Sequence, residues 1–242
     1  MTRFFIDPSS FSQDIIRLDA ENEKHARVLR LKEGEQVLIC DGLGHECLCD
    51  AVTSADHLEY RVVERRNSVS EARIRARVYM AMPKADKLEH VIQKATELGA
   101  EEIVTFPSAR CVARPDAKSL KNKLERWQKI ASAAAEQSGR GLIPTVRVLD
   151  SFTAAVKEAA SADLPLFFYE NEHAVTLHDA LEGRSYRTVS IFTGPEGGLE
   201  AGEAELAASA GMSVCTLGSR ILRCETAPLC ALSAVMFASG EF

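Results

Sequence analysis

The chain has 242 residues, 46% hydrophobic and 26% charged, with a formal net charge of −6 at pH 7. That balance is typical of a soluble globular protein able to build one large core or two smaller ones, and no run approaches the roughly 18–20 apolar residues of a membrane-spanning helix. Seven cysteines, an odd number without a small-scaffold spacing, favour reduced thiols over a disulfide framework, and MTRFFIDPSS is too short and polar for a secretory apolar core, so a cytoplasmic protein is expected.

The first 70 residues read as a small β-rich unit with one helix. Arg3 to Ile6 is extended and ends at Asp7-Pro8; Glu21 to Leu31 has helical spacing and is closed by Gly34. EQVLICD, HECLCDAV and LEYRVVER are three strand-like runs, the first two joined by Gly42-Leu43-Gly44. Asn67 to Ala72 is polar, lacks apolar periodicity and reads as a linker. From Arg73 onward strand alternates with helix. IRARVYMAM is a strand, and ADKLEHVIQKATEL a helix with an apolar face that stops at Gly99. EEIVTF follows, then a helix from about residue 118 to 138, a strand near Val146, a helix near 152–159 and the apolar strand LPLFFY. TVSIFTG, the helix AGEAELAASA, the short strand SVCTL and the helix TAPLCALSAVMFAS complete the chain. Apolar strands separated by helices predict an α/β fold, with a parallel sheet covered on both faces.

The net charge conceals an asymmetry. Residues 1–72 sum to −5, residues 73–150 to +6 and residues 151–242 to −7. A polyanion responds to a local patch as well as to the mean, although a solvated lysine-rich helix face is the commoner explanation for such a patch.

Two segments carry the strongest chemistry. Thr193-Gly194-Pro195-Glu196-Gly197-Gly198 follows an apolar strand and precedes a helix, where ligands bind in open α/β sheets. It is neither a Walker A loop nor a G-x-G-x-x-G fingerprint. Leu217-Gly218-Ser219-Arg220-Ile221-Leu222-Arg223-Cys224-Glu225-Thr226-Ala227 again joins a strand to a helix. Leu217, Ile221 and Leu222 suit a flat apolar group such as adenine, while Arg220 and Arg223 place cations at a helix start, against the helix dipole. Such a broken local rule often marks a site, but a ligand-free glycine turn and a plain exposed helix start fit the spacings too. Cys40, Cys47, Cys49 and His45 fit paired zinc knuckles poorly, and Cys47 and Cys49 share one strand face. Buried thiols in a barrel core are expected there, and no metal.

GPEGG followed by LGxRILRxETA resembles the SPOUT class of methyltransferases, whose C-terminal chain is threaded into a trefoil knot. The resemblance narrows to the ribosomal small-subunit RNA uridine-N3 methyltransferases through Arg3-Phe4-Phe5, His25 with Val28-Leu29-Arg30, Lys94 to Gly99, and Glu136 to Arg140 with Pro144. It runs from residue 3 to about 236. The chain departs from that pattern at Cys111, where serine is common, at Cys224, where threonine is usual, and at Leu199-Glu200, which replaces Phe-Ser and removes a serine helix cap.

The resemblance implies a PUA-like β-barrel RNA-binding domain over residues 1–70 and a knotted methyltransferase domain over residues 73–242. It implies S-adenosylmethionine held by Thr193, Gly194, Pro195, Glu196, Gly197, Leu217, Gly218, Ile221 and Leu222, with Arg223, Glu225 and Glu196 as catalytic candidates. Arg3, His25, Arg27, Arg30, Lys94, Arg110, Arg114 and Arg140 become candidates for RNA contacts. Ribosomal RNA in an assembled small subunit is the expected partner, and a homodimer the expected assembly. The alternatives are a SPOUT enzyme acting on ribose 2′-O or on transfer RNA, and a non-catalytic RNA-binding assembly factor.

Overall fold

The computed structural model describes residues 1–54, 57–113 and 115–242. The chain divides into two compact units, one of residues 1–71 with 135–143, the other of residues 72–134 with 144–242.

The first unit is a five-stranded sheet. Its strands are β1 (Thr2–Phe5), β2 (Ile15–Ile16), β3 (Gln36–Cys40), β4 (His45–Ser54) and β5 (His57–Asn67), with the helix α1 (Ala20–Val28) between β2 and β3. The sheet order is β1-β3-β4-β5-β2; β1 runs parallel to β3 and the other pairs are antiparallel. Alternation puts Val37, Ile39, Cys47, Cys49 and Ala51 on one face, where they pack with Phe4, Ile16 and Tyr60. Cys47 and Cys49 are therefore core thiols, and burial pushes the Cys49 thiol up to about 12. Helix α1 starts where Asp19 accepts the Asn22 N–H at 2.8 Å. It stops three residues short of the expected Leu31, because Arg30 turns to a positive φ of 57°. Strand β2 is two residues long, too short for periodicity to reveal.

The segment expected to be a linker is tied down. Ser68 is buried and donates to Glu46 at 3.1 Å. The Glu71 carboxylate accepts from the Arg140 guanidinium at 2.7 Å and from the Gly141 and Leu142 N–H groups at 2.8 and 3.1 Å. Residues 135–143, which the sequence reading assigned to the second domain, thus complete the first unit.

The second unit is a six-stranded, wholly parallel sheet. It contains β6 (Arg75–Ala81), β7 (Glu102–Phe106), β8 (Thr145–Val148), β9 (Leu164–Phe168), β10 (Thr188–Thr193) and β11 (Ser213–Cys215), in the order β11-β9-β10-β6-β7-β8. Its helices are α2 (Lys87–Glu97), α3 (Ala117–Ser138), α4 (Phe152–Ala159), α5 (Leu177–Leu181), α6 (Ala201–Ser209) and α7 (Thr226–Ala238). β9 is buried along its whole length, as expected of a strand covered on both faces. Phe192 on β10 lies 4.6, 5.4 and 5.0 Å from the rings of Phe106, Phe152 and Phe167, so aromatic packing joins the central strands to α4. At one end of the sheet Arg147 joins Glu102 (2.5 Å) to Glu158 (2.6 Å), and Tyr79 donates to Glu158 at 2.8 Å. The one-turn α5 is the helix that sequence periodicity missed; Thr176 and Asp179 cap it reciprocally.

Glu46 is the fully buried carboxylate of the first unit, accepting from Arg3 at 3.0 Å and Arg66 at 2.9 Å. Burial works to raise its pKa, but the bonds from Arg66, Arg3 and Ser68 outweigh it and hold the group below the ordinary carboxylate range. Its stabilisation is complete above the ordinary carboxylate pKa and is lost as pH falls through the lowered one. Glu46→Ala leaves two guanidinium groups without their acceptor and is expected to cost about 3 kcal/mol, read as a lower urea midpoint at neutral pH. The gap between variant and wild type should close in acid.

Candidate active site

The chain ends of β9, β10 and β11 open on one cavity of about 420 Å³, lined by residues 168–170, 193–198, 216–218, 220–224, Lys87 and Ala227. The cofactor residues named from sequence all fall on it. Arg223, Glu225 and Glu196 also converge here: Arg223 and Glu196 line the cavity, and Glu225 is joined to its wall through Lys87.

Each loop is shaped by specific contacts. Gly198 has φ +70°, and a Cβ there would collide with the Glu170 carboxylate, so only glycine allows the loop and Glu170 to meet. Glu170 also accepts the Leu199 N–H at 3.2 Å. The α6 start lost its serine cap, and Glu203 at the third helical position reaches back to the cap residue, accepting the Glu200 N–H at 2.8 Å. Its second oxygen takes the Ala109 N–H at 2.9 Å. In the third loop Ile221 is 79% exposed, an apolar side chain standing at the cavity with nothing covering it. Arg220 and Arg223 are exposed and make no ion pair among the described residues.

Sequence reasoning missed Lys87. Its ammonium lies 3.1 Å from Glu196 and 3.5 Å from Glu225, so it joins the second loop to the third. A lysine in the first turn of α2 opposes the helix dipole, the signal that was available and unused. Hydrogen bonding to Glu196 raises the Lys87 pKa. Burial would raise the Glu196 carboxyl, but bonds from its own N–H, from the Lys84 N–H (2.9 Å) and from Lys87 bring it below the ordinary range. Glu225 is lowered first by its own N–H, then by the Cys224 thiol and Lys87. Cys224 donates to Glu225 at 3.2 Å, and burial pushes its thiol up to about 12.

The residues named as RNA contacts are scattered. Arg27 and Arg30 are exposed on and just after α1; Arg27 faces Glu23 at 3.3 Å. His25 lies 3.2 Å from Glu136 and edge-on to Phe4. Lys94 pairs with Glu97 at 2.8 Å. Arg110 sits against the glycine loop, donating to the Gly197 carbonyl at 3.0 Å. Two assignments need correction. Arg140 is 4% exposed and bound to Glu71, and the Arg3 side chain is 10% exposed and bound to Glu46; both guanidinium groups are spent on holding the first unit together. Arg114 lies outside the described residues. No group of three or more metal-ligating side chains is assembled among the described residues.

One unit is an open parallel sheet with three loops meeting at a cavity on its carboxyl edge, and the other a small, mostly antiparallel sheet. Residues 70–236 match the model of the RNA methyltransferase domain and residues 18–51 that of the RNA methyltransferase PUA domain, so the chain belongs to the RNA methyltransferase family. It is 36% identical to the ribosomal RNA small subunit methyltransferase E of Bacillus subtilis, covering 98% of this chain and 96% of that one. The corresponding Mycobacterium bovis protein is 33% identical over 96% and 90%. The crystal structure of the Neisseria gonorrhoeae methyltransferase E bound to S-adenosylmethionine superposes with a TM-score of 0.84 at 31% identity, over 98% and 97% of the two chains.

Lys87→Met leaves Glu196 and Glu225 without their shared cation. Their stabilising contribution exists above the ordinary carboxylate pKa and disappears as pH falls through the lowered values. The variant is expected to have a lower urea midpoint than wild type at neutral pH, and to begin acid unfolding at higher pH. Urea titrations followed from neutral to about pH 3 measure both.

Proposed function

We propose that this chain transfers a methyl group from S-adenosylmethionine to N3 of a uridine in small-subunit ribosomal RNA. The observation that carries the reading is the cavity built jointly by the GPEGG and LGSRILRCETA loops, whose residues suit this cofactor. Leu217, Ile221 and Leu222 offer an apolar surface for adenine, and Thr193 to Gly197 with Gly218 offer backbone groups for its polar edges. The cofactor supplies an electrophilic methyl group. The segment between β11 and α7 leads the chain from an edge strand back to contacts with β10 and β6, the return path on which knotted threading would be built.

Methylation at N3 requires the uracil N3–H proton to leave and the negative charge on the ring to be stabilised. Glu196 and Glu225 are held below the ordinary carboxylate range and bound to Lys87, which makes them weak bases and strong loop fasteners. The work therefore falls chiefly to Arg223, an exposed guanidinium on the cavity wall, which stabilises the uridinate as its N3 proton passes to solvent, the ring nitrogen then taking the methyl group. Arg27, Arg30, Lys94 and Arg110 remain the candidates for phosphate contacts. Phe237, 73% exposed on α7, is a natural part of a homodimer surface. All seven cysteines are free, in keeping with a reducing cytoplasm, and among the described residues no helix is long and apolar enough to cross a membrane.

The deciding experiment incubates the protein with S-adenosylmethionine and small ribosomal subunits lacking the modification, then maps nucleosides by mass spectrometry. N3-methyluridine is expected. A ribose methylation, or methyl transfer to transfer RNA alone, would overturn the base assignment. Arg223→Ala is expected to lower kcat by about 10²–10³-fold with cofactor affinity by calorimetry unchanged; a normal kcat would remove Arg223 from the chemistry.

A further inference from the structure

The first unit holds a second cavity, of about 320 Å³, that the methyl-transfer chemistry does not use. Ala26, Leu31 and Leu58 form an apolar lining, and Glu23, Arg27, Thr53, His57 and Tyr60 bring polar groups to it. Tyr60 is the informative residue. It is 1% exposed and its ring packs on Phe4, yet its hydroxyl makes no hydrogen bond among the described residues. The ring is buried, but the hydroxyl is not among the orphaned buried polar atoms of the described residues; Tyr60 lines the cavity, where a ligand could meet its free donor. Tyr60 and Glu23 line the same cavity; burial raises the Tyr60 pKa, and the Glu23 carboxylate adds to the shift. Glu23 in turn faces Arg27 at 3.3 Å. The cavity therefore sets the Glu23 carboxylate as an acceptor and the Arg27 and Tyr60 groups as donors among apolar walls, with Thr53 and His57 completing its polar lining.

We propose that this cavity takes an unstacked guanine base of the RNA substrate, an inference that rests on the RNA-modifying reading given above. RNA is read in sequence-specific fashion mainly where bases are splayed out of the helix and hydrogen-bonded on their edges. The Watson–Crick edge of guanine sets two donors, N1–H and the N2 amino group, beside one acceptor, O6. The Glu23 carboxylate accepts from the two donors, and the Tyr60 hydroxyl and Arg27 guanidinium donate to O6. Leu31 and Leu58 offer the ring faces an apolar bed. Adenine presents an acceptor at N1 where guanine has a donor, which would set a lone pair against the Glu23 carboxylate. Uracil is smaller and lacks the second donor. The inference gives the N-terminal unit a base-reading role in addition to phosphate contacts.

The test uses the full-length protein and a fluorescent, uridine-rich RNA oligonucleotide with one central guanosine, compared with the same strand carrying adenosine. Fluorescence anisotropy should show the guanosine strand binding about tenfold more tightly. Tyr60→Phe removes a hydroxyl that holds nothing within the protein, so the variant should melt as wild type does. It should bind the guanosine strand about fivefold more weakly and leave the adenosine strand unaffected. Glu23→Gln should erode the same preference. Equal binding of the two strands by wild type, or unchanged preference in both variants, would overturn the proposal. Calorimetry with S-adenosylmethionine and methylation of small subunits, run on the same preparations, report separately on the catalytic reading. If those fail while the guanosine preference holds, it is the catalytic reading that falls.

Discussion

β10 hydrogen-bonds along one side to β6 and along the other to β9, although both of those strands precede it in the chain. Its insertion fixes most of what lies at the carboxyl edge. Phe192 gains aromatic neighbours from β7, β9 and α4, which makes the strand the packing centre of the sheet. The glycine loop that follows is consequently flanked on one side by the loop after β9 and roofed by the segment after β11. A strand at the sheet margin would have offered the same glycines to solvent. Cavity, loop contacts and the convergence of Glu196 with Lys87 all depend on that central placement.

Electrostatics then settle the division of labour within the cavity. Two carboxylates near a ligand site invite assignment as proton acceptors, but a carboxylate acts as a good base only if its surroundings disfavour the charge. Here backbone N–H groups and one lysine favour it. The exposed cations of the third loop have no ion-pair partner among the described residues, which costs little in solvent and leaves them able to face an anion. The acidic average of the whole chain says little about this edge.

Long periodic elements were legible in the sequence. The apolar strands, α2, α3 and α7, and the parallel character of the second sheet follow from spacing and run length, because burial on both faces demands continuous apolar residues. The two glycine-bearing cavity loops, after β10 and after β11, were legible from their glycines and position. The short elements were not: the Ile15–Ile16 strand and the single turn of α5 depend on partners distant in the chain. Lys87 was hidden for the same reason, since its two carboxylates come from residues more than a hundred positions away. Arg3 and Arg140 misled because a positive charge in the sequence does not disclose the buried acid it will meet. The polar stretch 67–72 looked loose because serine and glutamate usually face water, while here Ser68 is captured by Glu46 and Glu71 by residues 140–142.

That capture has a consequence for the order of events during synthesis. Domains commonly fold as they emerge, the N-terminal one first. In this chain, Ser68 and Glu71 reach their final surroundings only when Arg140, Gly141 and Leu142 have left the ribosome. The sheet of the first unit can form early, but its closing edge waits for the greater part of α3. The first unit is therefore continuous in space and interrupted in time. A chain severed after residue 72 would retain every strand of that unit and still lack the piece that seals it.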